Sequence, residues 1–246
     1  MEGGVDELTR RLTDPETRDR IRRAVEEDVP SWPSWLPGAW PHNLVRATGW
    51  RNIRLISAVD PDNSRFAGMS FVEIARETGK SPFDAAADML LAEGGGAMAL
   101  YIGCSGDDDD DDPWHRRLIA HPQASIQTDA IVTGRGLPHP AAYGAFPKCL
   151  RQYCRETRLV PLEEMIRKMT SQSLARFGIR DRGLIRAGAA ADLVLFDPDT
   201  VADRATYQEP DQYPVGIEYV LINGVPVVER GEYSRQKCGQ VLRRPG

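Results

Sequence analysis

The sequence predicts an α/β fold, and three observations carry that expectation. Amphipathic, helix-length segments recur through residues 1–96. An apolar run, a short helical segment and a second apolar run follow one another between 97 and 130. Beyond residue 183 the hydrophobic period shortens toward 2 and closes on a hairpin signature. With 246 residues, 41% hydrophobic and 27% charged, the chain can bury a substantial core.

Taken in order, residues 1–30 read as helical. Asp14 can cap, Pro15 suits a first helical position, and Ile21, Ala24 and Val25 form a stripe. "SWPSWLPGAWP" (31–41) holds three prolines and three tryptophans, so it reads as a structured aromatic loop or lid. In "RNIRLISAV" (51–59), Ile53, Leu55 and Ser57 share one face of a strand. Ser70 with Glu73 makes a capping box, and Gly79 stops that helix. Ser81, Pro82 and Asp84 open the next, with Phe83, Ala86, Ala87 and Leu90 at helical spacing and Gly94 to Gly96 closing it.

"AMALYIGCS" (97–105) reads as a strand buried on both faces, and "ASIQTDA" (124–130) as a weaker one. With "PWHRRLIAHP" between them they suggest a parallel βαβ unit. "VPLEEMIRKMTSQSLARFG" from Val160 reads as one helix lined by Leu162, Met165, Ile166, Met169 and Leu174. "ADLVLFD" (191–197) is a strand, and "IEYVLINGVPVVERGEY" (217–233) is a hairpin turning at Asn223-Gly224.

Composition narrows the function classes. Lys and Arg number 31 against 36 acids, a net charge of −5. Six of those acids form one run, Asp107 to Asp112, which reads as a solvated loop because it lacks the spacing of a calcium loop. No basic patch with interleaved aromatics points to nucleic acid. No stretch approaches the ~20 apolar residues of a membrane span. Cys104, Cys149, Cys154 and Cys238 show no CxxC spacing and no signal peptide precedes them, so they read as reduced thiols of a cytoplasmic protein. Cys104 itself reads as a small buried residue at a strand end. His42, His115, His121 and His139 form neither HxH nor HxxxH, so self-contained zinc spacing is absent.

One residue stands out. Asp129 ends the apolar run 124–130 and precedes the Gly- and Pro-rich loop "IVTGRGLPHP". A carboxylate at the mouth of a strand suits acid–base chemistry, or it caps a loop. In the same loop Arg135 is a candidate for holding an anionic group, although Thr133-Gly134-Arg135-Gly136 is too short for a phosphate loop.

"DRGLIRAGAAADLVLFDPDTV" followed by "GIEYVLINGVPVVERGEY" resembles the C-terminal signature of the amidohydrolase superfamily. Within it, "GMSFVEIARETGKSPFDAAADMLL", "TDAIVTGRGLPHPAAYGAFPKCLRQYCRE" and "LEEMIRKMTSQSLARFGIRDRG" resemble successive segments of the D-aminoacylases, or N-acyl-D-amino-acid deacylases. The resemblance implies the C-terminal part of a metal-dependent hydrolase TIM barrel plus part of a small β-sandwich. Residues 1–96 would be an inserted helical segment. Residues 97–182 would hold the last two barrel strands (97–105 and 124–130) and the final helices, and 183–246 the sandwich segment.

The family's metal-binding HxH and most other ligands lie on earlier strands, which would precede Met1. The resemblance therefore implies zinc in the complete enzyme, none assured in this chain, and dependence on the missing N-terminal half or a homo-oligomer. The expected ligand is an N-acyl amino acid or related amide. Asp129 matches the aspartate that serves as general base and then general acid, and at most as a weak metal ligand. Metal would polarise the amide carbonyl and lower the pKa of water toward about 7. His139 and Tyr143 fall on the substrate loop, where His139 either touches substrate or makes a structural hydrogen bond. Two departures matter: Thr128-Asp129-Ala130 replaces S-D-G, and Ala141 stands where H-P-R carries its arginine. A cyclic-amide hydrolase of the dihydroorotase or hydantoinase kind, and a truncated non-catalytic chain, are the alternatives.

Overall fold

The computed structural model describes residues 3–27, 43–102, 113–130, 132 and 134–243. The chain divides into two compact units, Met1–Asp110 with Thr133–Leu137, and Asp111–Val132 with Pro138–Gly246.

The first unit opens with α1 (Gly4–Thr13) and α2 (Pro15–Glu27). The break falls at Asp14, whose carboxylate accepts the Thr17 amide at 2.9 Å, and Pro15 starts the new helix. After the short α3 (Leu44–Thr48) comes β1 (Ile53–Ser57), which alternates buried and half-buried residues as its period-2 pattern demands. α4 (Pro61–Ser64) is a single turn. α5 (Phe71–Thr78) begins in the full Ser70–Glu73 capping box and ends on Gly79 at φ 67°. α6 (Pro82–Ala92) is capped by Ser81. Ile53, Leu55, Phe71, Ile74 and Met89 form the main core, and Leu12, Phe83 and Ala87 a smaller one. Arg18 ties α2 to α6 through Asp84 at 2.8 Å and Asp88 at 2.7 Å.

Two expectations change here. The run 97–105 yields β2 (Met98–Tyr101), which pairs antiparallel with β1, Ile53 opposite Tyr101. Its residues alternate half-buried and exposed, so it is not buried on both faces. Residues 124–130 form no strand, and the described residues contain no parallel pair. At the start of this run the carbonyls of residues 121–124 accept side-chain donors from a downstream helix pair. The aromatic loop 31–41, Cys104 and Asp107 to Asp112 lie outside the described residues.

The second unit contains α7 (Pro113–Ala120), α8 (Ala141–Lys148) and a π-helix (Cys149–Glu156). The sequence reading left 138–159 without a helix. Pro147 has no N–H to donate inside α8, and the wider π turn follows directly after it. The expected single helix from Val160 is two, α9 (Leu162–Met169) and α10 (Ser171–Arg176), broken at Thr170 with φ −128° and ψ −95°. Cys149, Leu150, Tyr153, Val160, Met165 and Val201 make this unit's core.

A four-stranded antiparallel sheet closes the chain in the order β3 (Leu193–Phe196), β4 (Ile217–Ile222), β5 (Val225–Glu229), β6 (Glu232–Tyr233). The β4–β5 turn is Asn223-Gly224, both at positive φ (50° and 80°), as a type I′ turn requires. The buried Arg182 guanidinium pins this turn: it bonds the Asp192 carboxylate and the Asn223 Oδ1 (2.7 Å), while the Asn223 amide donates to Asp192 at 2.8 Å. No helix among the described residues is long and apolar enough to cross a membrane.

The Arg182 clamp makes a pH-dependent prediction. Burial disfavours the Asp192 carboxylate, but the Asn223 amide and the Arg182 guanidinium outweigh it and hold its pKa below the usual carboxylate value. A depressed folded-state pKa stabilises fully above the unfolded value of about 3.9 and is lost as pH falls through the folded value. Urea midpoints of the wild type and Asp192→Asn should therefore differ at pH 6 and converge toward pH 3; a gap that stays constant refutes the clamp.

Candidate functional site

Asp129 is reached through a segment held by a dense set of donors. Lys168 of α9 is fully buried. Its ammonium donates to the His121 carbonyl and to the Ala124 carbonyl at 3.3 Å, and no carboxylate among the described residues pairs with it. Desolvation pulls its pKa below the ordinary lysine value. Beside it Arg167 donates to the Pro122 carbonyl (2.9 Å) and Arg176 to that of Gln123. Gln172 donates to Ala124 at 2.7 Å and to the Ser125 hydroxyl at 3.1 Å. Ile126 then packs into the core. These contacts end three residues before Asp129.

Asp129 itself is exposed and sits at φ 47°, in the left-handed region that non-glycine residues seldom enter. Its neighbour Thr128 accepts the Ala130 amide at 3.4 Å. Among the described residues nothing pairs with the Asp129 carboxylate, so it is a solvated base on a constrained backbone. Such a group can accept and return a proton.

Arg135 is exposed between Gly134 (φ 73°) and Gly136 (φ 65°) and belongs to the first unit, whereas Asp129 belongs to the second. The loop is stitched to β1, with the Leu137 amide donating to the Ile56 carbonyl at 2.8 Å. A Cβ on Gly136 would meet Ser57 Cβ at 2.5 Å, so only glycine fits.

His139 and Tyr143 stand at the start of α8, both half-buried. His139 Nδ1 accepts the Ala141 amide at 2.9 Å, the structural hydrogen bond that the sequence left as one option. His121 repeats it in the other His-Pro pair, accepting the Gln123 amide at 3.2 Å. The rings face a loop that sequence reasoning passed over. Tyr207 lies edge-on to His139 with centroids 6.1 Å apart, and Tyr213 edge-on to Tyr143 at 5.7 Å. That loop is fixed by reciprocal bonds, Thr206 amide to Glu209 carbonyl (3.0 Å) and Glu209 amide to Thr206 hydroxyl (2.9 Å). It lies close to α8: a Cβ on Gly144 would come within 3.1 Å of Asp203 Cβ. The available signal was two tyrosines flanking a proline in "TYQEPDQYP".

Zinc takes about four donors. Asp129 offers one carboxylate, and among the described residues no three His, Cys, Asp or Glu side chains come together as metal ligands. These residues do not fit a self-contained zinc site.

Comparison with known proteins adds the following. A model of the amidohydrolase family matches residues 82–228. Over 178 residues the chain is 38% identical to the D-aminoacylase of Alcaligenes xylosoxydans xylosoxydans, covering 72% of this chain and 34% of that protein. An N-acyl-D-aspartate deacylase from the same organism is 38% identical over 175 residues, 71% and 33% of the two chains. Among solved structures, a D-aminoacylase superposes with a TM-score of 0.66 at 35% identity, over 78% of this chain and 38% of that one. An N-acyl-D-glutamate deacylase from Bordetella bronchiseptica, complexed with zinc and a phosphonate mimic of the tetrahedral intermediate, gives 0.66 at 32% identity, over 93% and 46%. The chain spans about a third of the length of the curated relatives it matches.

The backbone at Asp129 is directly testable. Asp129→Ala should destabilise the protein by about 1 kcal/mol, the cost of a left-handed conformation for a residue with a Cβ and no local polar partner. Asp129→Gly should leave thermal stability close to wild type. Equal losses in the two variants would rule out the left-handed placement.

Proposed function

Because this chain belongs to the amidohydrolase family, we propose that it forms the C-terminal part of a deacylase that hydrolyses the amide C–N bond of N-acyl amino acids, with Asp129 as the proton-transfer residue. Its homologues are hydrolases acting on carbon–nitrogen bonds other than peptide bonds. The observation that carries the reading is Asp129 itself, exposed, strained and directly beyond the anchored segment. Its carboxylate takes a proton from the attacking water as the new C–O bond forms. It returns that proton to the nitrogen as the C–N bond breaks, leaving a carboxylic acid and an amine. His139 and Tyr143 border the substrate.

The rest of the active site corresponds to the portion of the relatives that this chain does not cover. Zinc, which the Bordetella structure contains, enters this proposal only with ligands from that portion. On the same reading residues 1–96 are an insertion and 183–246 a sandwich segment, while 97–182 correspond to the closing part of the relatives' barrel with its final helices, here without a parallel strand pair among the described residues. The free thiols Cys149, Cys154 and Cys238 suit a reducing, cytoplasmic setting. The relatives' linear N-acyl substrates favour a linear over a cyclic amide.

A second reading, a non-catalytic chain that self-associates, is favoured by exposed apolar groups: Val194 at 53% and Leu195 at 59% on the edge strand β3, and Ile185 at 92%.

The test is reconstitution. Mixing this chain with the uncovered N-terminal portion of a D-aminoacylase and zinc should give turnover of N-acyl-D- or N-acyl-L-amino acids. Asp129→Asn should lower kcat by roughly 10²–10⁴-fold. A reconstituted, zinc-loaded complex without turnover overturns the assignment, and a large homo-oligomer without zinc supports the non-catalytic reading.

A further inference from the structure

We infer that Asn223 is a modification site: its side-chain amide converts to aspartate or isoaspartate through attack by the Gly224 backbone nitrogen, the Arg182 clamp gates that reaction, and conversion releases the C-terminal segment from the sheet. The inference concerns the β4–β5 turn alone and does not depend on the proposed activity.

The reaction needs no partner but water. The Gly224 nitrogen gives up its proton and bonds to Asn223 Cγ, the Cγ–Nδ2 bond breaks, and ammonia leaves behind a five-membered succinimide. Water then opens either ring carbonyl, giving aspartate or isoaspartate. Both turn residues are exposed, so water reaches them, and glycine puts no side chain in the way of its own nitrogen. A Cβ on Gly224 would meet nothing nearer than Ala191 Cβ at 3.9 Å, so packing does not block the attack either. Hydrogen bonds do. The Gly224 amide, the nucleophile, donates to the Ala191 carbonyl at 2.9 Å. Nδ2, the leaving group, donates to the Cys238 carbonyl at 2.8 Å. Oδ1 accepts from the buried Arg182 at 2.7 Å, and Arg182 is itself tied to Asp192. Every reacting group is thus held, and the turn must open before Gly224 can attack. The product changes what the turn can hold. An aspartate at 223 still accepts from Arg182, but it has no donor for the Cys238 carbonyl and sets a second carboxylate beside Asp192. Isoaspartate adds a carbon to the backbone at the tightest point of the hairpin. Either way Cys238 loses the hydrogen bond that ties it to the sheet.

The intact chain is incubated in mildly alkaline buffer and digested with trypsin, and the peptide of residues 205–230 is followed by mass spectrometry, with fragmentation separating aspartate from isoaspartate. The same peptide free in solution is the reference. Conversion in the folded chain should run about thirty-fold or more below that of the free peptide, because the turn's hydrogen bonds open first. Arg182→Gln should raise the rate about ten-fold while circular dichroism shows the chain still folded. If that variant fails to fold, Arg182→Lys, which keeps the charge and loses the fork, takes its place with the same expected direction. The product is tested in Asn223→Asp, where trypsin should cut after Arg235 and Lys237 several-fold faster than in wild type with the sheet retained. Conversion of the wild type at the free-peptide rate, a folded Arg182 variant as slow as wild type, or unchanged cleavage of the tail in Asn223→Asp overturns the inference.

Discussion

A buried ammonium without a carboxylate has to be satisfied by something, and here it is satisfied by the backbone. Lys168 is sealed from solvent and its donors go to the carbonyls of His121 and Ala124. An unmet buried charge costs far more than an unmet neutral group, so the segment cannot drift from α9 without exposing that cost. The second unit is organised around this constraint. Arg167, Gln172 and Arg176 extend the grip along residues 122–125, and Ile126 completes it with apolar burial. Beyond Ile126 the grip stops and Asp129 emerges into solvent. Rigidity and exposure thus meet within a few residues, which is what a carboxylate needs if it is to be both placed and free to exchange a proton.

What the sequence made legible was local. Ser70 with Glu73, Asp14 with Pro15, and Asn223 with Gly224 each state their geometry within four residues, and each takes the expected form. The alternation of Ile53, Leu55 and Ser57 also carries its own answer. The failures are non-local. Residues 124–130 look like a strand by composition, yet Ala124 at their start is held by donors 44 and 48 residues downstream. β2 reads as doubly buried because its residues are apolar, but its one strand partner among the described residues is β1, and alternate residues are exposed. The break at Thr170 lies inside an unbroken amphipathic pattern, and nothing in that pattern marks it.

The site follows the same division. The family resemblance singles out Asp129 as a candidate, but nothing in the sequence around it marks its left-handed backbone. His139 and Tyr143 read in the sequence as members of one loop, whereas Tyr143 lies within α8 and His139 just before it. Their partners Tyr207 and Tyr213 were not legible, because the pairing crosses more than sixty residues and leaves no periodic trace. The chain also belongs to a family whose curated members are about three times as long as the part it matches, so its apolar edge at β3 is a surface that a longer protein can cover.

The stitch at Gly136 has a consequence for how this protein can be divided. Thr133–Leu137 belongs with β1, while the residues on both sides of it belong to the other unit. The polypeptide therefore passes between the units three times, and no single cut in the gene separates them. A truncation after residue 110 strips the first unit of its second segment, Thr133–Leu137, and one after 137 takes 111–132 away from the helices that anchor it. Evolution by fusion or fission of modules, and engineering by domain exchange, both have to respect that interleaving: the movable piece is the interlaced pair, carried as one block.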